Sequence, residues 1–224
     1  VYKRQVVQVG STSLKMYADG IEVDTSATLV SDSSGTYVNW FIGGGYNSGG
    51  SHSNNYYFDG FMDGIRVSDS ARYTANFTPP TEAFSNDANT KLLIQTGTDE
   101  STTFTDESSS PYSITANSDV KWLKPKIGAG AIALDGTGDY LNTGASSAFP
   151  DGGDYTIECW VKAHTNTSQM TPFGYGTSYI RVESSNWAVM PGWEGSEHGT
   201  LGAMSLDTWY HLACVRNGDD FTFY

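Results

Sequence analysis

The sequence predicts an all-β protein, an antiparallel sandwich of two sheets, and three observations carry that prediction. Apolar residues alternate with polar ones at a period of two, and no run at helical spacing outlasts two turns. Aromatic residues make up 13% of the chain, and Gly, Ser, Thr, Asn and Asp fill the intervals, a mixture suited to short strands joined by polar turns. Strands with one apolar face, recurring at short intervals, need a second sheet to cover that face.

Taken in order, Leu14–Tyr17 and Ile21–Val23 flank Asp19-Gly20 and read as a hairpin with a type I′ turn. Tyr37–Ile42 is a strand closed by Gly43-Gly44-Gly45, and a polar loop runs from Tyr46 to Tyr57. Phe58–Val67 reads as a pair of strands. A connector follows from Ala71 to Phe84, where Pro79-Pro80 holds the chain extended and cannot donate to a ladder. Beyond it come Lys91–Gln95, a Ser/Thr/Asp-rich stretch, and strands at Ala131–Leu134, Asp139–Leu141, Tyr155–Val161, Tyr179–Val182, Trp187–Met190 and Trp209–Arg216. In Tyr155–Val161, Ile157, Cys159 and Val161 share one face, with Glu158 and Lys162 on the other.

The two ends carry the same pattern. Val7–Gly10 leading to Leu14–Gly20 matches Val215–Gly218 leading to Phe221–Tyr224, as expected for a whole domain copied in tandem. Residues 6–84 then form the C-terminal part of a first unit, 85–90 a linker, and 91–224 the N-terminal and middle part of a second, truncated one. Residues 1–5, Val-Tyr-Lys-Arg-Gln, can be encoded by GTG TAT AAG AGA CAG, which resembles a transposon-end sequencing adapter. The expectation is a metagenomic fragment whose ends are set by the contig. The late strands of one copy and the early and middle strands of the other are complementary, so the chain is expected to close on itself as a circularly permuted sandwich, the alternative being a first segment set apart with exposed sheet edges.

Charge narrows the partners. Twelve basic residues face 25 acidic ones, a net −13 that repels phosphate backbones and argues against nucleic acid. No apolar run approaches the roughly 20 residues of a helical membrane span, so membrane insertion is not expected. The two cysteines, Cys159 and Cys214, lie in apolar runs and read as small buried hydrophobes rather than a disulfide framework.

Several of these segments together resemble a known family. Ala133–Leu141 (ALDGTGDYL), Asp154–Val161 (DYTIECWV) and Thr208–Arg216 (TWYHLACVR) resemble the "FDGTGDYL", "DFTIEFWV" and "TWHHVAVVR" segments of laminin-G-like, concanavalin-A-like sandwich modules. Tyr17–Gly20 looks like their "VDG", and Phe58–Ser68 with Ala71-Arg72-Tyr73 resembles "GYIDEVRIS…ARY". The Phe77-Thr78-Pro79-Pro80 tail is most similar to versions in phage structural and large bacterial surface proteins. The resemblance implies a jelly-roll-like sandwich, usually without catalysis, used for adhesion or glycan contact, and an extracellular or virion-associated location. Gly64 stands where the family has an acidic residue after Asp63, which weakens the transfer of a metal role there.

For chemistry, the chain lacks the closely spaced acids of a glucanase strand; Glu194 and Glu197 come nearest, in a loop context. It is expected not to be an enzyme. The metal candidate is Ca²⁺, since carboxylates flank glycine turns at Asp59 and Asp63, Asp135 and Asp139, and Asp151 and Asp154. The glycan candidates are Tyr46, His52, Asn54, Asn55 and Tyr56 in the aromatic–amide loop, with Trp187, Trp193 and His198. The partners expected are a glycan or cell-surface receptor and neighbouring repeats of the same chain. The alternatives are a spacer in a fibre and an accessory sugar-binding module beside a secreted glycoside hydrolase.

Overall fold

The computed structural model describes residues 12–24, 40–46, 52–53, 56–127, 130–144, 154–166, 169–175, 178–183, 186–190 and 200–218. Among them there are strands and no helix. In chain order these are β1 (Thr12–Ala18), β2 (Ile21–Asp24), β3 (Trp40–Ile42), β4 (Gly45–Tyr46), β5 (His52–Ser53), β6 (Asp59–Ser68), β7 (Thr90–Ile94), β8 (Thr115–Asn117) and β9 (Lys121–Leu123). They continue as β10 (Ala131–Asp135), β11 (Tyr140–Asn142), β12 (Tyr155–Ala163), β13 (Met170–Tyr175), β14 (Ser178–Glu183), β15 (Asn186–Met190), β16 (Thr200–Ala203) and β17 (Tyr210–Gly218).

Two antiparallel sheets result. The first runs β2-β1-β17-β12-β6-β10-β9, with β7 also paired to β6, and the second runs β16-β15-β14-β13-β3-β11-β8. The strands of the first segment are woven between those of the second. In the first sheet, β1 pairs with β17, and β6 pairs with β12 on one side and with β10 and β7 on the other. In the second, β3 lies between β13 and β11. The chain therefore closes into the expected all-β sandwich.

Local chemistry explains several joints. Asp19 and Gly20 both take positive φ, 53° and 72°, which is the type I′ turn expected between β1 and β2. A side chain at position 20 would meet the Phe77 carbonyl oxygen at 1.9 Å, so glycine is required there by space as well as by φ. Phe58–Val67 is not the strand pair expected from its glycines; Asp59–Ser68 is one strand of ten residues. Its register against β12 shifts between Glu158 and Trp160, opposite Gly64 at φ 54°. That glycine serves a bulge within the strand, not a reversal. In β13 the register shifts between Met170 and Phe173, where Thr171 and Pro172 lie.

The core lies between the sheets, with Phe58, Met62, Ile65, Val67, Leu92, Trp122, Ile132, Leu141 and Val161 fully buried or nearly so. Trp40 meets Phe173 edge-on at 4.9 Å across β3 and β13, and Phe104 stacks on Trp122 at 5.0 Å. Ile157, Cys159 and Val161 point into this core, as their alternation predicts. Both cysteines are free and buried, and burial pushes their thiols well above the usual range.

The connector after β6 is a strap across the outer face of the first sheet. Tyr73 and Phe77 stack at 3.6 Å, and Phe77 meets Tyr17 of β1 edge-on at 5.0 Å. Lys15 Nζ donates to the Thr74 carbonyl at 3.0 Å, and the Arg72 amide donates to Thr156 Oγ1 at 2.9 Å. At the strap's end the Gln95 side chain clamps Phe84, accepting from its N–H at 2.7 Å and donating to its carbonyl at 2.9 Å.

Candidate functional site

The strap seals a charged cluster against the sheet. Glu158 on β12 lies opposite Arg66 on β6. Its Oε1 accepts from Arg66 Nε at 2.8 Å and Nη2 at 2.6 Å, and its Oε2 accepts from the Tyr73 hydroxyl at 2.7 Å. His211 Nε2 on β17 stands 3.3 Å from the same oxygen. Glu158 is 1% exposed. Burial works to raise its pKa, but His211, Arg66 and Tyr73 outweigh it and hold the carboxyl below its ordinary value. Sequence reading placed Glu158 on the outer face but missed this cluster, whose members come from four separated segments.

The calcium candidates divide. Asp135 and Asp139 flank the turn between β10 and β11, where Gly136 and Gly138 take φ of 80° and 85°. Asp139 is buried, and accepts the Asp135 amide on Oδ2 at 3.0 Å and the Asp119 amide on Oδ1 at 3.1 Å. Burial raises its pKa; the Asp135 amide opposes this, and the charges of Asp135 and Asp119 add to it. One carboxylate oxygen from each of Asp119, Asp135 and Asp139 lies within 4.8 Å of the others, a hard-oxygen set of the kind Ca²⁺ accepts. Asp119 was missed by sequence reading because it comes from the turn before β9 rather than from the glycine motif.

Asp59 sits opposite Asp135 in register, which brings two of the predicted acids side by side. Asp63 is elsewhere, because four residues of strand span roughly 13 Å. It is buried, and its Oδ2 accepts the amides of Lys126 and Ile127, both at 2.6 Å. Burial raises its pKa to about 6, against the lowering effect of those amides. Asp154 is exposed just before β12, and Asp151 lies outside the described residues.

Of the glycan candidates, Tyr46 and His52 are backbone partners in register in the short β4–β5 hairpin. Tyr56 is half-buried, and its carbonyl accepts the Thr171 amide of β13 at 3.2 Å. Trp187 lies on β15, opposite Val182 of β14. Asn54, Asn55, Trp193 and His198 lie outside the described residues.

Another surface was not anticipated. Beyond the strap, the outer face of the first sheet holds a row of cross-strand partners: Lys121 opposite Ala133, Ala133 opposite Phe61, and Phe61 opposite Lys162. Trp209, just before β17, extends it. Phe61 and Trp209 have ring centres 6.4 Å apart with planes inclined by 32°, and Lys162 Nζ lies 4.7 Å from the first ring centre and 5.9 Å from the second. Beside this row is an acidic one. Asp135 is opposite Asp59, the His164 amide donates to the Asp59 carbonyl at 2.9 Å, and His164 Nδ1 is 2.7 Å from Asp207 Oδ1. Phe61, Lys162, His164 and Trp209 are half-buried, whereas Arg66, Glu158 and His211 under the strap are buried.

Residues 135–224 match a laminin-G family model described as the concanavalin A-like lectin/glucanases superfamily. No curated protein and no solved structure matches the chain. The matched span is similar to that family, and its described strands lie in both sheets.

Proposed function

We propose that this laminin-G-like, concanavalin-A-like sandwich is a binding module that works without catalysis, carried on an exported or virion-borne protein and directed to a glycan or a cell-surface receptor. The fate of Glu158 carries the reading. It is the acid at the middle of a long central strand, yet both its oxygens are taken by Arg66, Tyr73 and His211 beneath the strap. A carboxylate held in this way neither attacks nor donates a proton. The half-buried Tyr56, next to a hairpin whose sequence carries Tyr46 and His52, supports glycan contact, since rings stack on sugar faces while polar groups meet hydroxyls.

Calcium at Asp119, Asp135 and Asp139 belongs to this proposal as a brace for the turn between β10 and β11. So does descent from two partial tandem repeats, which the interleaved strands support. The test incubates the whole chain with a panel of soluble polysaccharides and follows both retention and released reducing ends. Retention without release is the expected outcome. Steady release of reducing ends overturns the non-catalytic reading, and no retention by any polysaccharide overturns the glycan reading.

A further inference from the structure

We infer that the open band on the outer face of the first sheet is a binding site for a neutral polysaccharide, lying across the strands along the row Ala133–Phe61–Lys162–Trp209. The inference rests on the glycan reading above and gives it a site and a ligand class.

Two half-buried rings, Phe61 and Trp209, stand 6.4 Å apart at an inclination of 32°, and with the Lys162 ammonium lying over both they form a shallow platform from which that flexible side chain can swing aside. The methyl of Ala133 keeps the row low beside Phe61. Sugar rings present a flat C–H face that covers such a platform, with hydroxyls projecting at the edges. Those edges meet different chemistry on the two sides. Lys162 is a donor within the row, while Asp59 and Asp135 are acceptors in the next row. Hydroxyls both donate and accept, so one polyhydroxyl chain satisfies both rows at once.

Charge decides between sugar classes. The carboxylates of Asp59, Asp135 and Asp207 outnumber the ammoniums of Lys121 and Lys162 around the band, and the chain carries a net −13. An acidic polysaccharide meets repulsion here, and a neutral one does not. Direction follows from geometry: the row runs perpendicular to strands that lie about 4.8 Å apart, so successive sugar units rest on successive strands.

The test is affinity electrophoresis of the whole chain in gels containing a neutral glucan, a neutral mannan or polygalacturonate. The expected result is retardation by at least one neutral polymer and none by polygalacturonate. Trp209→Ala and Lys162→Gln should each weaken that binding about tenfold or more, with thermal unfolding of each variant confirming the fold. Phe61→Ala is a third variant, read only if it melts as the parent does. Retardation by polygalacturonate alone overturns the neutral class. Neutral binding that survives both Trp209→Ala and Lys162→Gln overturns the site while leaving the glycan reading standing. No retardation by any polymer overturns both.

Discussion

Arg66 and Glu158 face each other across β6 and β12, with Arg66 Nη2 2.6 Å from Glu158 Oε1 under the aromatic strap. The pair is a fixed point on the sheet's outer face, because Tyr73 of the strap and His211 of β17 both converge on the second carboxylate oxygen. Replacing one partner leaves the other charge buried and uncompensated. Glu158→Ala is expected to cost about 3–5 kcal/mol, read as a lower denaturation midpoint. The carboxyl is held below its ordinary value, so its contribution is present above 4.5 and is lost as pH falls through the lowered folded-state value. The variant should therefore lose less stability on acidification than the parent.

Asp63 predicts the opposite slope. Burial raises it from 3.8 to about 6. Its contribution is thus full below 3.8 and disappears as pH rises through 6, a swing of at most about 3 kcal/mol. Asp63→Asn keeps an acceptor for the Lys126 and Ile127 amides and removes the titration. Stability measured between pH 4 and 7 should be flatter in the variant; an unchanged slope would mean that other groups set it.

Gly20→Ala should destabilise the β1–β2 hairpin. The left-handed conformation costs about 1–2 kcal/mol for a residue with a Cβ, and the Phe77 carbonyl oxygen stands 1.9 Å from the place that Cβ must occupy. A melting temperature equal to the parent's would show that the strap moves aside without penalty.

Calcium should raise the melting temperature if Asp119, Asp135 and Asp139 act together. Saturation at one hundred times the dissociation constant stabilises by about 2.7 kcal/mol. Asp135→Asn should abolish the shift. Equal melting in Ca²⁺ and in a chelator would remove the metal from the proposal.

Both cysteines should resist aqueous alkylating reagents in the folded protein and react together on unfolding. Burial leaves them as thiols, and the thiolate is the nucleophile. Modification of either at native conditions, seen by mass spectrometry, would contradict their burial.

Much of the fold was legible because β12, β17 and the β1–β2 turn carry strong local signals: alternation in the strands, Asp-Gly in the turn. β8 and β9 were lost in a polar stretch, since three-residue strands barely register as a period. β13 was hidden by Pro172 and Gly174, residues that normally argue against an inner strand. β6 was split in reading because a glycine at a bulge and a glycine at a turn look alike until the partner strand is known. The acid pair Asp135 and Asp139 was visible in its motif, whereas Asp119 joined it only through the sheet. The band of Phe61, Lys162 and Trp209 was beyond reach for the same reason: it is assembled from β6, β12 and the entry to β17 and has no spacing in the sequence.

The weaving of strands also makes the contacts that close this sandwich distant along the chain. β1 pairs with β17 from Thr12 opposite Gly218 to Ala18 opposite Leu212, and β6 waits for β10 and β12. When this chain refolds, its early strands stay unpaired until those distant partners arrive. Closing such distant contacts is slow, and unpaired apolar strands are prone to aggregate in the interval. Refolding yield should therefore fall with protein concentration well before the native state itself becomes unstable.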